Sequence, residues 1–123
     1  MLQLKRVYEK PSRKDGVRIL VDRLWPRGLT KERAAVKLWL KDVAPSTELR
    51  KWFGHEPAKW KQFQVRYRKE LRQQKDALKL LKQKSEERTV TLVYGARDEE
   101  HNETQVLKKI LEVHRRKDES ARS

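Results

Sequence analysis

The sequence predicts a single small α/β domain in which a short, mostly parallel sheet is flanked by helices. Short apolar segments typical of strands alternate along the chain with segments whose apolar residues recur at helical spacing. Strands separated by helices pair in parallel at least in part, through right-handed connections. The length of 123 residues provides for one modest core. We assign residues 1–114 to this domain and residues 115–123 to a charged C-terminal tail that is expected to fray.

Three strands are predicted in the first part of the chain. Residues 2–8, LQLKRVY, alternate between apolar and polar side chains, as a half-buried strand does. Residues 17–25, VRILVDRLW, are rich in apolar and β-branched side chains, and Pro26 and Gly28 end this buried strand. Residues 36–43, VKLWLKDV, alternate again and predict a third strand.

Helices dominate the second part of the chain. Ser46 is the predicted N-cap, and Gly54 the predicted C-terminal stop, of a helix over TELRKWF. A long helix is predicted after Pro57, because apolar residues follow at steps of three, four and, once, seven. This stripe consists of Trp60, Phe63, Tyr67, Leu71, Leu78 and Leu81. Residues 89–95, TVTLVYG, predict a last buried strand, and Asn102 is placed to cap the last helix.

The composition is that of a basic protein without a membrane-spanning segment. Charged residues make up 41% of the chain and hydrophobic residues 36%, and no apolar run approaches the ~20 residues that cross a bilayer. The absence of cysteine excludes disulfides and thiolate chemistry. The N-terminal segment has no signal-peptide core, so we expect a cytoplasmic protein. The net charge of +14 favours a phosphate-bearing partner, including nucleic acid, although the same charge also serves solubility.

Polar side chains follow three of the predicted strands at the point where each strand ends. Because the carboxyl ends of parallel strands meet at one edge of a sheet, these side chains are expected to share a site. Guanidinium groups bind phosphates and carboxylates, and the helix after Ser46 would present backbone N–H groups beside them. The predicted anion-binding residues are Arg23, Arg27, Ser46 and Arg50. Trp25 and Tyr94 are the predicted pocket walls, and Asp22, Asp42 and His101 are the candidate acids and bases.

Each of these assignments has a structural alternative. The two arginines of the VDRLWPRG segment can pair with Asp22 and Asp42 in a network that only stabilises the fold. Ser46 needs no role beyond its helix cap, and Tyr94 can be a packed strand aromatic. His101, beside acidic residues, can be a metal ligand, a general base or part of a solvated loop. The chain has no GxGxxG, P-loop or HExxH motif, so we expect no cofactor and no resident metal.

A second candidate surface lies along the long predicted helix. Basic residues fall on one of its flanks at about 100° per residue, and they would form a ridge about 27 Å long. The ridge residues are Lys61, Arg68, Arg72, Lys75 and Lys79. Such a ridge suits the phosphate backbone of nucleic acid, and the alternative is an ordinary solvated face.

Four segments, DRLWPRG, WLKDVAPSTELRKWFGH, FQVRYRKEL and TLVYGARDEEHNETQVL, occur in the order and spacing of a known family. From Val7 to Leu111 the chain resembles the short, YeaO-like branch of the domain of unknown function 488 family. The resemblance implies a compact α/β domain in a bacterial or archaeal cytoplasm, and it implies no established activity. The family's motif positions fall on Asp22, Arg23, Trp25, Pro26, Arg27, Gly28, Lys41, Asp42, Pro45, Ser46, Arg50, Phe63, Tyr67, Tyr94, Asp98, His101 and Asn102. Longer relatives carry cysteines near the last strand, and a thiol mechanism cannot apply to this chain.

Three functions are compatible with these patterns. In the first, VDRLWPRG leads into a basic, partly apolar pocket that binds a phosphate-bearing ligand, nucleic acid or nucleotide, with Trp25 as a wall. In the second, the same cleft belongs to a small hydrolase or transferase that uses Asp22, Asp42 or His101 as acid or base. In the third, the protein is a structural interaction module without a site. A deep cleft with a desolvated carboxylate favours catalysis, and a flat basic surface favours nucleic acid. The sequence leaves the ligand, the reaction and the oligomeric state open.

Overall fold

A computed structural model describes the backbone of residues 1–122 and the side chains of residues 1–112. Within these residues the centre is a four-stranded, all-parallel sheet, which confirms the α/β class. The strands are β1 (Leu2–Arg6), β2 (Val17–Leu20), β3 (Leu38–Trp39) and β4 (Val90–Tyr94). Their order across the sheet is β1-β4-β2-β3, so the last strand lies between the first two. All of β4 is buried, which accounts for its largely apolar sequence.

Five α-helices surround the sheet in the described range: α1 (Lys31–Ala34), α2 (Thr47–Phe53), α3 (Trp60–Leu71), α4 (Lys75–Glu87) and α5 (Glu103–Arg122). Both predicted caps of α2 are present. The Ser46 hydroxyl accepts a hydrogen bond at 3.1 Å from the N–H three residues on, and Gly54 ends the helix in the left-handed conformation. Asn102 caps α5 through the Thr104 N–H at 3.0 Å. The side chains of the predicted tail, residues 115–123, lie outside the described residues, so the tail stays a prediction.

The second strand ends earlier than its apolar pattern predicts, because a side chain replaces the backbone as hydrogen-bond partner. The Val21 N–H still bonds the Val93 carbonyl at 3.2 Å. One residue later, the carboxylate of Asp22 accepts the Gly95 N–H at 2.8 Å. The chain then leaves the sheet at its carboxyl edge, and most of the VDRLWPRG segment forms a loop.

The prediction of one long helix is wrong, since the chain forms α3 and α4, joined by a turn at residues 72–74. Two N–H groups of this turn bond carbonyls three residues back, at 3.0 and 2.9 Å, and the tightened turn ends the helix. A single helix over residues 60–87 would extend about 42 Å, against about 17 Å for a five-residue strand. With the chain divided at this turn, both Leu71 and Leu81 lie in the main core. The seven-residue step in the apolar stripe falls at this turn.

The sheet divides the core into two unequal parts. Ile19 and Leu20, neighbours in β2, belong to different clusters because successive side chains of a strand point to opposite faces. The larger cluster includes Phe63 and Tyr67 of α3 and side chains of α2, α4 and α5. The smaller cluster includes Ala34 of α1. Of the helices that the structure describes, none has the length and apolar character to cross a membrane.

A buried ion pair ties the loops of the smaller face to the sheet. Arg18 is 3% exposed, and its guanidinium donates to the Asp15 carboxylate and to the Ala34 carbonyl, both at 2.9 Å. Lys5 adds a second cation 3.1 Å from Asp15. Burial by itself raises the pKa of Asp15, but hydrogen bonds from the Ser12 backbone, Lys5 and Arg18 outweigh it and leave that pKa below its ordinary value. The sequence analysis did not foresee this pair.

Candidate ligand-binding cleft

A cleft of about 240 Å³ opens at the carboxyl edge of the sheet, beside the ends of β2 and β4. The loop after β2 contributes residues 22–26, and α2 contributes Arg50 and Phe53. Residues 101–103, where α5 begins, complete the polar part of the lining. The sheet edge therefore brings together polar residues from distant parts of the chain, as expected for parallel neighbouring strands.

Two carboxyl groups, from Asp22 and Glu103, line the cleft and interact with each other. Asp22 follows β2, and Glu103 is the first residue of α5. Burial, followed by the charge and hydrogen bond of Asp22, raises the pKa of Glu103 well above its ordinary value. The cleft therefore holds a carboxyl group with a raised pKa, Glu103, beside a second carboxyl group, Asp22.

Backbone and core groups hold the carboxyl pair in place. The Gly95 N–H donates to Asp22, and a Cβ at position 95 would lie 3.1 Å from the Asp22 Oδ2 atom, so only glycine permits this approach without displacement. Tyr67 lies in the core near both carboxyl groups. Burial, and then the charges of Glu103, Glu70 and Asp22, raise the pKa of Tyr67 well above its ordinary value. Its hydroxyl stays protonated and donates to the Val43 carbonyl.

Two arginines of the cleft differ in what they bind. The Arg23 guanidinium donates to the Pro45 carbonyl at 3.0 Å and to the Ala44 carbonyl at 3.2 Å, so it joins the loop after β2 to the segment before α2. These backbone carbonyls, rather than the carboxylates considered from sequence, are its partners. Arg50 is exposed on α2 and forms no ion pair with any residue in the described part of the chain. Arg50 is therefore free to bind a ligand anion.

Two histidines also line the cleft. His101 Nδ1 lies 2.9 Å from the Asp98 carboxylate, and its ring packs edge-on against Trp60. This hydrogen bond lowers the pKa of Asp98. His55 is exposed and adopts a φ of 58°, which non-glycine residues rarely do, beside the ring of Phe53. No three His, Asp or Glu side chains among the described residues come together as a metal ion would require.

Aromatic rings form the apolar wall. Trp25 lines the cleft as predicted, and it is held by a 2.7 Å hydrogen bond to the Leu29 carbonyl and by edge-to-face contact with Trp39. Phe53 and Phe63 stack with their ring centroids 4.5 Å apart. Phe53 and Phe63 are 5% and 2% exposed, so the partly exposed Trp25 is the ring that offers a flat apolar surface to a planar ligand.

Two predicted anion-binding residues are placed elsewhere. The Ser46 N–H and hydroxyl donate to the Glu70 carboxylate at 2.8 and 2.6 Å, so the protein's own side chain occupies the position predicted for an anion. This corrects the expectation of free N–H groups at the start of α2. Arg27 is exposed and does not line the cleft; its carbonyl accepts the Tyr8 hydroxyl at 3.0 Å.

Asp42 and Tyr94 are also absent from the cleft lining. A 3₁₀ turn at Lys41–Val43 follows β3 directly, and the exposed Asp42 lines a separate depression beside the turn between α3 and α4. This corrects the prediction that Asp42 shares a cleft with Asp22. Tyr94 is 3% exposed, and burial followed by the charge of Glu99 raises its pKa. Tyr94 is therefore a packed aromatic residue at the end of β4, which is the structural alternative considered for it above.

The predicted ridge residues are all exposed, but they do not form one continuous ridge. Lys61 and Arg68 lie on α3, with Arg72 at its end, whereas Lys75 and Lys79 lie on α4. Because the turn at residues 72–74 separates the two helices, the five residues do not lie along one helix axis, and the predicted ridge of about 27 Å is divided in two.

Sequence reasoning missed Glu103 and Gly95 as site residues. An acidic residue at the start of a helix is ordinarily explained by the helix dipole, so Glu103 carries no distinctive local signal. The one sequence signal for a role of Glu103 in the site is its position after the loop that follows β4, because this loop lies at the same edge of the sheet as Asp22. Gly95 was interpreted only as part of the last strand segment.

The fold and the cleft define a small, all-parallel α/β protein with a carboxyl pair at the edge of its sheet. The chain belongs to the family described as the Inactive DUF488-N3 subclade, whose family model matches residues 1–123. It is 42% identical over 106 residues to the uncharacterized protein YeaO of Escherichia coli, across 86% of this chain and 92% of that protein. It is 40% identical over 110 residues to the uncharacterized proteins Mb3100c of Mycobacterium bovis and Rv3073c of Mycobacterium tuberculosis, across 89% of this chain and 92% of each. These findings confirm the resemblance to the YeaO-like branch. No solved structure matches the chain significantly.

Proposed function

We propose that the cleft binds a small phosphate-bearing ligand of the nucleotide class and does not convert it. The observation that carries this proposal is the presence, in one cleft, of Arg50 without an ion-pair partner among the described residues and of the Asp22–Glu103 carboxyl pair. A ligand with an anionic group and with N–H or O–H groups satisfies both. A nucleotide carries both kinds of group, since its phosphate is at one end and its sugar hydroxyls and base are at the other.

The phosphate would be bound by Arg50, whose guanidinium can donate two parallel hydrogen bonds to phosphate oxygens. The rings of His55 and His101 supply further N–H donors in the same cleft. Arg23 is already oriented by two backbone carbonyls, so its remaining N–H groups lose little freedom on binding. Arg27 and Ser46 have no part in this arrangement.

The opposite end of the ligand would meet the carboxyl pair and the aromatic wall. Carboxylate oxygens of Asp22 and Glu103 accept hydrogen bonds from hydroxyl or amino groups, and the Glu103 carboxyl, when it is protonated, can donate one in return. Trp25, the partly exposed ring of the aromatic wall, presents an apolar surface to a base. Stacking of a base on such a ring contributes about 1–3 kcal/mol.

Cleft size favours a nucleotide over nucleic acid. A volume of about 240 Å³ lies just under the roughly 300–1,000 Å³ typical of small-molecule sites, so it holds most of one nucleotide with the rest in solvent. One nucleotide unit suits this volume better than a polymer does. The description of the family as inactive favours binding over turnover. Catalysis by a hydrolase or transferase is the second candidate, because the raised pKa of Glu103 suits a general acid beside Asp22 and His101.

Isothermal titration calorimetry with nucleoside monophosphates, the matching nucleosides and inorganic phosphate tests the proposal. We expect a monophosphate to bind more tightly than either of its parts. Because a hydrogen bond to a charged group contributes about 1.5–3 kcal/mol, Arg50→Gln is expected to weaken that binding by about 10- to 150-fold. Lys51→Gln makes the same change of charge on the same helix, outside the cleft, and is expected to leave the affinity unchanged.

Two results would contradict the proposal. The first is the absence of binding by any monophosphate, or an equal loss of affinity in the two variants. The second is the appearance of a product when the bound ligand is incubated with the protein and separated by chromatography. That second result would establish the catalytic alternative.

A further inference from the structure

The solvent face of α3 carries a positive charge that the cleft does not use. Phe63, Tyr67 and Leu71 turn toward the core and define the buried side of this helix. The exposed side carries Lys61, Arg66, Arg68, Lys69 and Arg72, a set called here the α3 surface. Glu70 is the acidic residue of this stretch, and it turns away to bind Ser46.

The spacing of the α3 surface matches a row of phosphates. At about 100° and 1.5 Å per residue, its five cations fall within an arc of about 160° and a rise of about 17 Å. One strand of nucleic acid carries a phosphate about every 3.4 Å, so roughly five phosphates span the same distance. None of the five cations has an ion-pair partner within the range for which side chains are described. Their charge is available to a partner.

An aromatic contact orients one edge of this surface. The Arg66 guanidinium lies 4.1 Å from the ring centroid of Trp52 on α2, and Lys59 approaches the same ring at 5.2 Å. Stacking on a ring restrains long side chains that would otherwise move freely. Lys51, exposed on α2, extends the positive area beyond α3.

We propose that the α3 surface binds the phosphate backbone of nucleic acid without reading base sequence. Long basic side chains on one helix face follow a backbone and make few base contacts. A lipid membrane also carries phosphate, but a membrane-binding helix presents an apolar stripe beside its basic residues. On the exposed side of α3 the apolar residue is Val65, 67% exposed, among cations and Gln62. The partner is therefore nucleic acid, and this binding is independent of the cleft.

The test is a salt series of fluorescence anisotropy on the full chain with single-stranded and duplex oligonucleotides. The test variant combines Lys61→Gln, Arg68→Gln, Lys69→Gln and Arg72→Gln, and it keeps Arg66 on Trp52. Each lost phosphate contact lowers the slope of log K against log salt by about 0.9 for a duplex and 0.7 for a single strand. The expected decrease is therefore about 3.6 or 2.8, respectively.

The matched control removes the same charge from other exposed residues of the chain. It combines Arg13→Gln, Lys31→Gln, Arg33→Gln and Lys37→Gln. We expect the control to keep the wild-type slope. Equal decreases in both variants would overturn the proposal in favour of bulk charge. Binding to phosphatidylserine vesicles without binding to oligonucleotides would overturn it in favour of a membrane.

Two further variants keep the test conclusive. If circular dichroism shows that the fourfold variant does not fold, the pairs Lys61→Gln with Arg68→Gln and Lys69→Gln with Arg72→Gln replace it. Each pair is expected to lower the duplex slope by about 1.8, and an unchanged slope in both pairs would overturn the proposal. Arg50→Gln, which tests the cleft, is expected to leave the slope unchanged, so failure of one proposal is distinguishable from failure of the other.

Discussion

Replacing Phe63 with alanine removes the ring at the centre of the aromatic contacts between α2 and α3. Phe63 is 2% exposed and stacks on Phe53 at 4.5 Å and on Trp60 at 5.5 Å between ring centroids. Loss of a buried phenylalanine ring costs about 3–5 kcal/mol. Because Phe63 also lines the cleft, water can fill part of the space, and we expect the lower end, about 3 kcal/mol. That is a large part of the ~5–15 kcal/mol by which a typical domain is stable.

Urea unfolding followed by circular dichroism measures this loss. With a denaturant dependence of about 1–3 kcal/mol per molar, a loss of 3 kcal/mol lowers the urea midpoint by about 1–3 M. The control is Val65→Ala on the same helix, where the side chain is 67% exposed and the expected change is within about 0.5 kcal/mol. A midpoint unchanged in Phe63→Ala, or lowered equally in both variants, would refute the reasoning that the apolar stripe of α3 forms the core.

Two further predictions concern the carboxyl pair and a tight turn. The pKa of Glu103 is raised in the folded protein, so the folded state holds a proton that the unfolded chain releases, and stability falls as pH rises from the unfolded value of 4.5 through the folded pKa. Glu103→Gln, which does not ionise, is therefore expected to be more stable than the wild type at about pH 8 and to lose this advantage at about pH 4. If the urea midpoints of the two proteins show no such pH dependence, Glu103 does not have a raised pKa beside Asp22. Gly16 has a φ of 62°, and a Cβ there would lie 2.2 Å from the Thr89 carbonyl oxygen, so Gly16→Ala is expected to cost at least about 1–3 kcal/mol. A wild-type melting temperature in that variant would show that the start of β2 can move away from β4.

The elements of the fold were largely predictable because their signals are local. The apolar run of β4 indicates a buried strand, and a serine and a glycine indicate where α2 begins and ends. Both residues cap α2 as predicted. The break between α3 and α4 was missed because each side of it has good helical periodicity. Leu71 before the break and Leu81 after it both pack in the main core, and such packing is not visible in a local sequence pattern.

The candidate cleft was predictable only in part. Asp22, Trp25 and His101 line one cleft at the carboxyl edge of the sheet, because parallel strands bring their ends together. The partner of each charged group was not predictable. Ser46 donates to Glu70 of α3, and Arg23 donates to two backbone carbonyls rather than to a carboxylate of the protein. These pairings join residues that are far apart in sequence.

The sequence by itself determined the α/β class, the family, the caps of α2 and the basic character of the α3 surface. Each of these features depends on residue types and on spacings of a few positions, which can be identified directly in the amino-acid sequence. Only the tertiary structure decided that Glu103 lies against Asp22, that Asp42 leaves the cleft and that the basic ridge is divided at the turn. These outcomes follow from how strands of two to five residues are ordered and how helices are packed to cover them. The energy of that packing is summed over the whole core, so no short segment of the sequence encodes it.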